Sequence, residues 1–367
     1  MGQSPISPEG MSHRHTNPSL NVCSSKGQTH GGSTLADGMR CIVTGGAGFL
    51  GSHLTENLLA TGHAVAVIDD MFRGSQKNLL GCKGMEDYHL IMGDASNRSN
   101  YEKAADKLRG VDCVYHLAAI NGTRWFHERP DFVIQVNLNS LRVALDFAIT
   151  RGARFVFTSS PEAFGEQPEM PLDNNSDSLF SSASQHGRHS YGASKYLGEI
   201  LVQHAVKEHS LDARIVRPFN GYGPRLPGDA YGQVTGIFLE QCRKGETITV
   251  HGDGQQTRSF TWVEDIVNGT RIAGELDEGI DGSILAGAAF NLGNPEEISI
   301  DDLAKLCLEV TNSDSEIRHQ EVGHPGDSRR RVPDITTSEQ ALGWSASVTL
   351  RQGLESCWRW QMAEHGE

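Results

Sequence analysis

The segment that most constrains this fold is TGGAGFLG, Thr44 to Gly51. It follows a short apolar run, CIVT, and leads straight into a stretch with apolar residues at helical spacing: Phe49, Leu50, Leu54, Leu58 and Leu59. Glycines at 45, 48 and 51 permit a tight strand-to-helix turn. Its backbone N–H groups converge on the positive end of the helix, an arrangement suited to a pyrophosphate. Such a turn belongs to a βαβ unit, and the next apolar run, AVAVID, supplies the second strand. Gly45, Gly48, Phe49, Leu50 and Gly51 are therefore the expected cradle of a dinucleotide.

Asp69 ends AVAVID, where a carboxylate accepts hydrogen bonds from the adenosine ribose, which favours NAD over NADP. Arg73 lies four residues further on and could meet a 2′-phosphate. Asp94, ending YHLIMGD, is placed to flank the adenine. CVYHLAA, RFVFTSS and ARIVRPFN read as further strands, separated by helices including Asp131 to Thr150 and Ser190 to Glu208. Alternating strands and helices predict an α/β fold, a Rossmann-type doubly wound parallel sheet that binds ligands beyond its carboxyl ends. After Pro218 the rhythm loosens into Gly-, Pro- and Arg-rich stretches with short helices, two of them opened by Ser299 with Asp302 and Thr349 with Gln352. The expected organisation is a disordered tail over 1–38, an NAD-binding domain over 39–218, and a smaller C-terminal substrate-binding lobe over 219–367, interleaved with it.

A net charge of −14 argues against a nucleic-acid partner, which calls for a basic face. No apolar run approaches the roughly 18 residues of a membrane span. The first 38 residues, rich in Ser, Gly, Pro, Asn and His, lack the apolar centre of a signal peptide. Their histidines, His13, His15 and His30, read as part of a solvated tail. Seven cysteines without a C-x-x-C give no zinc or disulfide framework, so a reducing cytoplasm and no metal are expected.

Tyr191 and Lys195, in YGASK, are four residues apart and share one helical face. A phenol near pKa 10 is a poor base at neutral pH, and a neighbouring ammonium, with a positive nicotinamide, favours the phenolate. The pair predicts proton removal from a carbinol as hydride leaves. Ser160, closing the strand RFVFTSS, is placed to hydrogen-bond the same substrate oxygen. Glu162, in the apolar turn PEAFG, is the candidate base at a carbon beside a ketone. His186 and His189 precede Tyr191 without carboxylate or cysteine at ligand spacing and read as a loop lining the pocket.

These motifs, with RPFNGYGPR, GDGQQTRSFTWVEDIV, NLGNPEE and RRRVPDI followed by LGW, resemble the extended short-chain dehydrogenase/reductase family in its nucleotide-sugar epimerase, dehydratase and decarboxylase branch. The likeness covers nearly all of residues 40 to 360. It implies that Leu117, Ala118 and Ala119 line the nicotinamide and that Lys195 also holds the nicotinamide ribose. Asn220 and Arg258 would contact the nucleotide diphosphate or nucleoside, and an Arg fork suits a pyrophosphate. Arg331, in RVPD, matches the arginine that engages the sugar carboxylate in UDP-glucuronate decarboxylases. The branch carries Thr-Ser-Glu or Thr-Asp-Glu at the strand end where this chain has Ser160, Pro161 and Glu162. The missing central acid counts against a 4,6-dehydratase, and the stretch NGTRWFHERP also departs from the familiar forms and should contact the sugar. The resemblance implies a redox-neutral reaction through a 4-ketone, as an epimerase or decarboxylase, in a homodimer built from the two long helices. A reductase consuming NAD(P)H and a non-catalytic NAD-sensing or RNA-binding scaffold are the rival readings.

Overall fold

The computed structural model describes residues 38–185, 189–228, 233–321 and 329–366. Apart from Gly38, the expected tail with His13, His15 and His30 lies outside these residues, as does His186. Strand β1 (Arg40–Thr44) passes through the glycine turn into α1 (Phe49–Ala60) and then β2 (Ala64–Asp69). There follow β3 (Tyr88–Met92), α2 (Arg98–Leu108), β4 (Cys113–His116), a short α3 (Thr123–Glu128), α4 (Pro130–Arg151), β5 (Arg154–Thr158), α5 (His189–His209) and β6 (Ala213–Pro218).

These strands form a parallel sheet in the order β3-β2-β1-β4-β5-β6, extended beyond β6 by a seventh strand, Ala289–Leu292. The strand order reverses between β1 and β4, which opens a crevice at their carboxyl ends. The seventh strand was not foreseen, because four residues, AFNL, carry too little pattern to separate from a loop. Helices α4 and α5 each run one residue further at both ends than expected.

Successive strand residues face opposite sides. Cys41, Val43, Val65, Val67 and Tyr115 pack with Leu54 and Leu58 of α1 and with Val263 and Val267 of the helix Val263–Glu275. Ile42, Ala66, Ile68, Val114 and Phe155 pack with Tyr101, Leu141 and Val202 from α2, α4 and α5. The sheet is thus covered on both faces. Helix α4 is long and apolar enough by length and composition to cross a bilayer, although no unbroken apolar run exists in it. Here Val133, Leu141, Ala144 and Leu145 form its buried side. Both expected helix starts are capped: Ser299 accepts from the Asp302 N–H at 3.0 Å, and Thr349 with Gln352 forms a reciprocal box. The six described cysteines are free and buried.

Candidate active site

One cleft of about 1050 Å³ opens at the carboxyl ends of the strands. Every residue singled out for cofactor, catalysis or substrate lines it, from Gly45 in the turn to Arg331 near the C-terminus. Gly51 shows why the turn is glycine: a Cβ there would lie 2.1 Å from the Gly45 carbonyl oxygen. Asp69 receives the Ala47 N–H at 2.9 Å and the Met71 N–H at 2.8 Å, one on each carboxylate oxygen. Burial raises its pKa and the two amides oppose the shift. The carboxylate is therefore fixed against the turn, with lone pairs to spare for a ribose. Phe49, Leu50, Arg73, Asp94 and Leu117 to Ala119 complete this side of the cleft.

Tyr191 and Lys195 occupy successive turns at the start of α5, 7% and 3% exposed. The Lys195 ammonium donates to the Thr158 carbonyl at 2.7 Å and lies 5.7 Å from the centre of the Tyr191 ring. Burial lowers Lys195 to about 7, with the Glu199 charge opposing. Burial raises Tyr191, the Glu162 charge adds to that, and a hydrogen bond with Ser160 works against it. Among the protein's own groups the balance is thus the reverse of the lowering expected from Lys195. The physical reason is shared desolvation: the lysine has itself lost much of its hold on a proton.

The two serines at the end of β5 part company. Ser159 donates to Glu199 at 2.5 Å, and Glu199 is gripped by Arg217 at 2.6 and 2.8 Å, beneath the cleft. Ser160 faces Tyr191 and caps a 3₁₀ turn, Pro161–Phe164, by accepting the Glu162 N–H at 3.2 Å. Pro161 suits the first position of that turn, where no N–H is needed. The turn presses on α5 so closely that a Cβ at Gly192 would meet the Glu162 carbonyl oxygen at 2.3 Å. Glu162 itself faces Arg331, whose Nη1 and Nη2 donate at 2.5 and 3.3 Å.

Asn220 has φ 38° and donates its amide to the Ser259 carbonyl at 2.8 Å, so its side chain braces the cleft wall. Arg258 donates to the Thr257 carbonyl at 2.7 Å while lining the cleft. His189 does not line it: as the first residue of α5 it bonds Glu166 at 2.9 Å and Ser181 at 3.0 Å. From the divergent stretch, Asn121, Gly122, Arg124, Phe126, His127 and Glu128 do line it. Glu199, Arg217 and Asn137 went unremarked in the sequence. Asn137 accepts the Ile120 N–H at 2.7 Å and donates to Ser194 at 3.0 Å, tying the loop after β4 to α5. Glu199 had a signal, since it stands one turn beyond Lys195; Asn137 and Arg217 had none.

The family model described as "NAD dependent epimerase/dehydratase family" matches residues 41–293. The chain is 34% identical to UDP-glucuronic acid decarboxylase 2 of Arabidopsis thaliana over 92% of this chain and 72% of that one. Its fold is similar to the UDP-glucose 4-epimerase of Thermotoga maritima solved with UDP-glucose, with a TM-score of 0.80, 28% identity, and coverage of 89% and 100%. It is also similar to the UDP-glucose 4-epimerase of Thermus thermophilus solved with NAD, with a TM-score of 0.74, 26% identity, and coverage of 89% and 100%.

Proposed function

Since the chain belongs to the NAD dependent epimerase/dehydratase family, we propose that it decarboxylates a nucleotide-linked hexuronic acid through a transient 4-ketone. The observation that carries the reading is Arg331, a buried guanidinium 2.5 Å from Glu162, lining the same cleft as Tyr191 and Ser160. A guanidinium offers five donors, so Arg331 can hold Glu162 and still present N–H groups to a substrate carboxylate. The relative's name, a UDP-glucuronic acid decarboxylase, points the same way.

The glycine turn and Asp69 fit a dinucleotide, since a Cβ at Gly51 would collide with the Gly45 backbone and break the tight turn, and Asp69 stands beside it with lone pairs to spare. Bound NAD⁺ supplies a hydride acceptor for C4 of the sugar and later a donor. Tyr191 takes the proton from the C4 hydroxyl, and Ser160 orients that oxygen by a hydrogen bond. Lys195 would hold the nicotinamide ribose, and the positive nicotinamide would favour the phenolate that burial of the protein's own groups opposes. With a ketone at C4, the C6 carboxylate is that of a β-keto acid. Arg331 fixes it, the C5–C6 bond breaks, and the electron pair moves into the C4 enolate as carbon dioxide departs. A proton from solvent then adds to C5, with Glu162 the group placed to steer it, and Tyr191 returns its proton to O4. Asn220 and Arg258 form the wall for the nucleotide diphosphate. Dehydration is disfavoured, because Pro161 brings no acid to the turn.

The test is incubation of the enzyme with NAD⁺ and a panel of nucleotide sugars that includes UDP-glucuronate, read by mass spectrometry and NMR. Release of carbon dioxide from a hexuronate is the expected result. A product of unchanged mass with new sugar resonances would make the chain an epimerase, with Glu162 as its base. Tyr191→Phe removes one hydroxyl, so it should abolish turnover and leave NAD binding intact.

The same reading extends to assembly. Tyr196, Leu197 and Ile200 on α5 and Ile134 on α4 are large apolar side chains exposed by between 38 and 47%. A homodimer through α4 and α5 covers them, and sedimentation of the purified protein tests it. The free cysteines fit a reducing cytoplasm, which fractionation checks.

A further inference from the structure

We propose that Phe126 is a positioning residue for the reaction, holding the plane of the Tyr191 ring by stacking on it; this rests on Tyr191 being the proton acceptor. Phe126 belongs to α3, in the stretch expected to contact the sugar. It is 2% exposed, and its ring lies nearly parallel to that of Tyr191, with centres 4.9 Å apart and planes 13° apart. Aromatic rings at this separation attract when offset, and a flat face opposite a flat face restricts tilt.

Tyr191 needs such a partner. It is the third residue of α5, followed by Gly192 and Ala193, so its own helix supplies little bulk beside the ring. The Lys195 ammonium lies 5.7 Å from the ring centre. Ile120, Phe126, Val133 and Tyr191 form a small buried apolar cluster of their own, apart from the two cores that flank the sheet. Phe126 is the only other aromatic ring among those four residues.

Phe126 is itself held from two sides. Its carbonyl accepts a hydrogen bond from Ser190 Oγ at 3.3 Å, the residue just before Tyr191. Its neighbour Trp125 meets Phe72 at 5.5 Å and Phe132 at 6.0 Å, and Phe72 meets Phe132 at 5.7 Å. That aromatic trio ties α3 to the loop after β2, which follows Asp69. The stack therefore rests on a braced element rather than on a single side chain. Because proton transfer falls off steeply with misplacement, a ring free to tilt costs rate while leaving substrate contacts in place.

The experiment compares Phe126→Ala, Phe126→Leu and Phe126→Tyr in the full chain with NAD⁺ and the nucleotide sugar that the wild type turns over. For Phe126→Ala, kcat should fall by about tenfold to a hundredfold. KM and NAD affinity should stay within about twofold, since only 2% of Phe126 is exposed to the cleft. Phe126→Tyr keeps the flat face and should restore most of kcat, whereas Phe126→Leu, similar in apolar character but not flat, should not. If Phe126→Ala fails to fold, the contrast between leucine and tyrosine, with melting temperatures matched, carries the test. Equal kcat for those two, or a loss that falls mainly on KM, would overturn the proposal.

A second readout needs no substrate. Fluorine NMR of 3-fluorotyrosine protein, with the Tyr191 signals assigned from Tyr191→Phe, should show two resolved, slowly exchanging ring orientations in the wild type. One averaged signal is expected in Phe126→Leu. An averaged signal in the wild type overturns the proposal whatever the reaction is. Failure of every nucleotide sugar to react, with slow exchange observed, instead overturns the functional reading.

Discussion

Arg331 and Glu162 form a close ion pair, 2.5 Å apart, from positions 169 residues apart in the chain, with side chains only 7% and 15% exposed. A strand-end turn and a C-terminal segment thus meet at the point where chemistry at C5 is expected. The pair also solves a packing problem, since each charge would be costly to bury alone.

Removing the arginine separates its roles. Arg331→Ala should lower kcat/KM for a hexuronate by about a hundredfold or more, the scale of losing one partner of a buried charge pair. Neutral hexoses should suffer far less. Steady-state kinetics on both classes decide it, and equal losses would remove the carboxylate-anchoring role.

Asp69 is the residue expected to set cofactor choice. Its carboxylate is fixed by the Ala47 and Met71 amides, so it would meet a ribose hydroxyl well and a 2′-phosphate badly. Calorimetry should give NAD a clear advantage over NADP, and Asp69→Ser should shrink that advantage by about tenfold or more, or about 1.4 kcal/mol. Comparable affinities in the wild type contradict the assignment.

Lys195 carries a pH signature. Its folded pKa is depressed to about 7 from 10.5, so between these values the unfolded chain binds more protons than the folded one. Stability from this group therefore rises with pH across that window, and the cost of burying the ammonium is felt in full below about pH 7. Lys195→Met removes the titration. Its melting temperature relative to wild type should be highest near pH 6 and decline towards pH 10. A difference constant with pH would falsify the burial argument.

Beneath the cleft, Glu199 balances Arg217 and receives Ser159. Glu199→Ala leaves a buried guanidinium unpaired and should cost about 3–5 kcal/mol in urea unfolding. Pairing Glu199→Leu with Arg217→Met should recover most of that loss. If the double variant is no more stable than Glu199→Ala, the pair is not the source of the cost.

Much of this site was legible because its signals are local. A glycine turn between a strand and a helix, an acid at the next strand end, and Tyr and Lys one helical turn apart each depend on spacings of a few residues. The structure places all of them on one cleft. Substrate residues drawn from resemblance reach it as well, but their partners were not visible: Asn220 braces Ser259, and Arg331 is matched to Glu162. Ser160 was the hydroxyl expected at the substrate oxygen, and the structure adds that its neighbour Ser159 is occupied by Glu199. The lowering of the Tyr191 pKa was expected from charge alone, and burial reverses it in the protein by itself.

The sequence by itself determined the doubly wound sheet, the dinucleotide turn and the Tyr–Lys face of α5. These follow from backbone sterics and from periods of two and 3.6 residues, which act over short stretches of chain. Only the tertiary structure decided that Phe126 stacks on Tyr191, that the strand Ala289–Leu292 extends the sheet, and that Arg331 meets Glu162. Those contacts join segments 65 to 169 residues apart, or add an edge strand of four residues. They are set by which surfaces remain to be covered once the sheet has formed, and no local pattern encodes that.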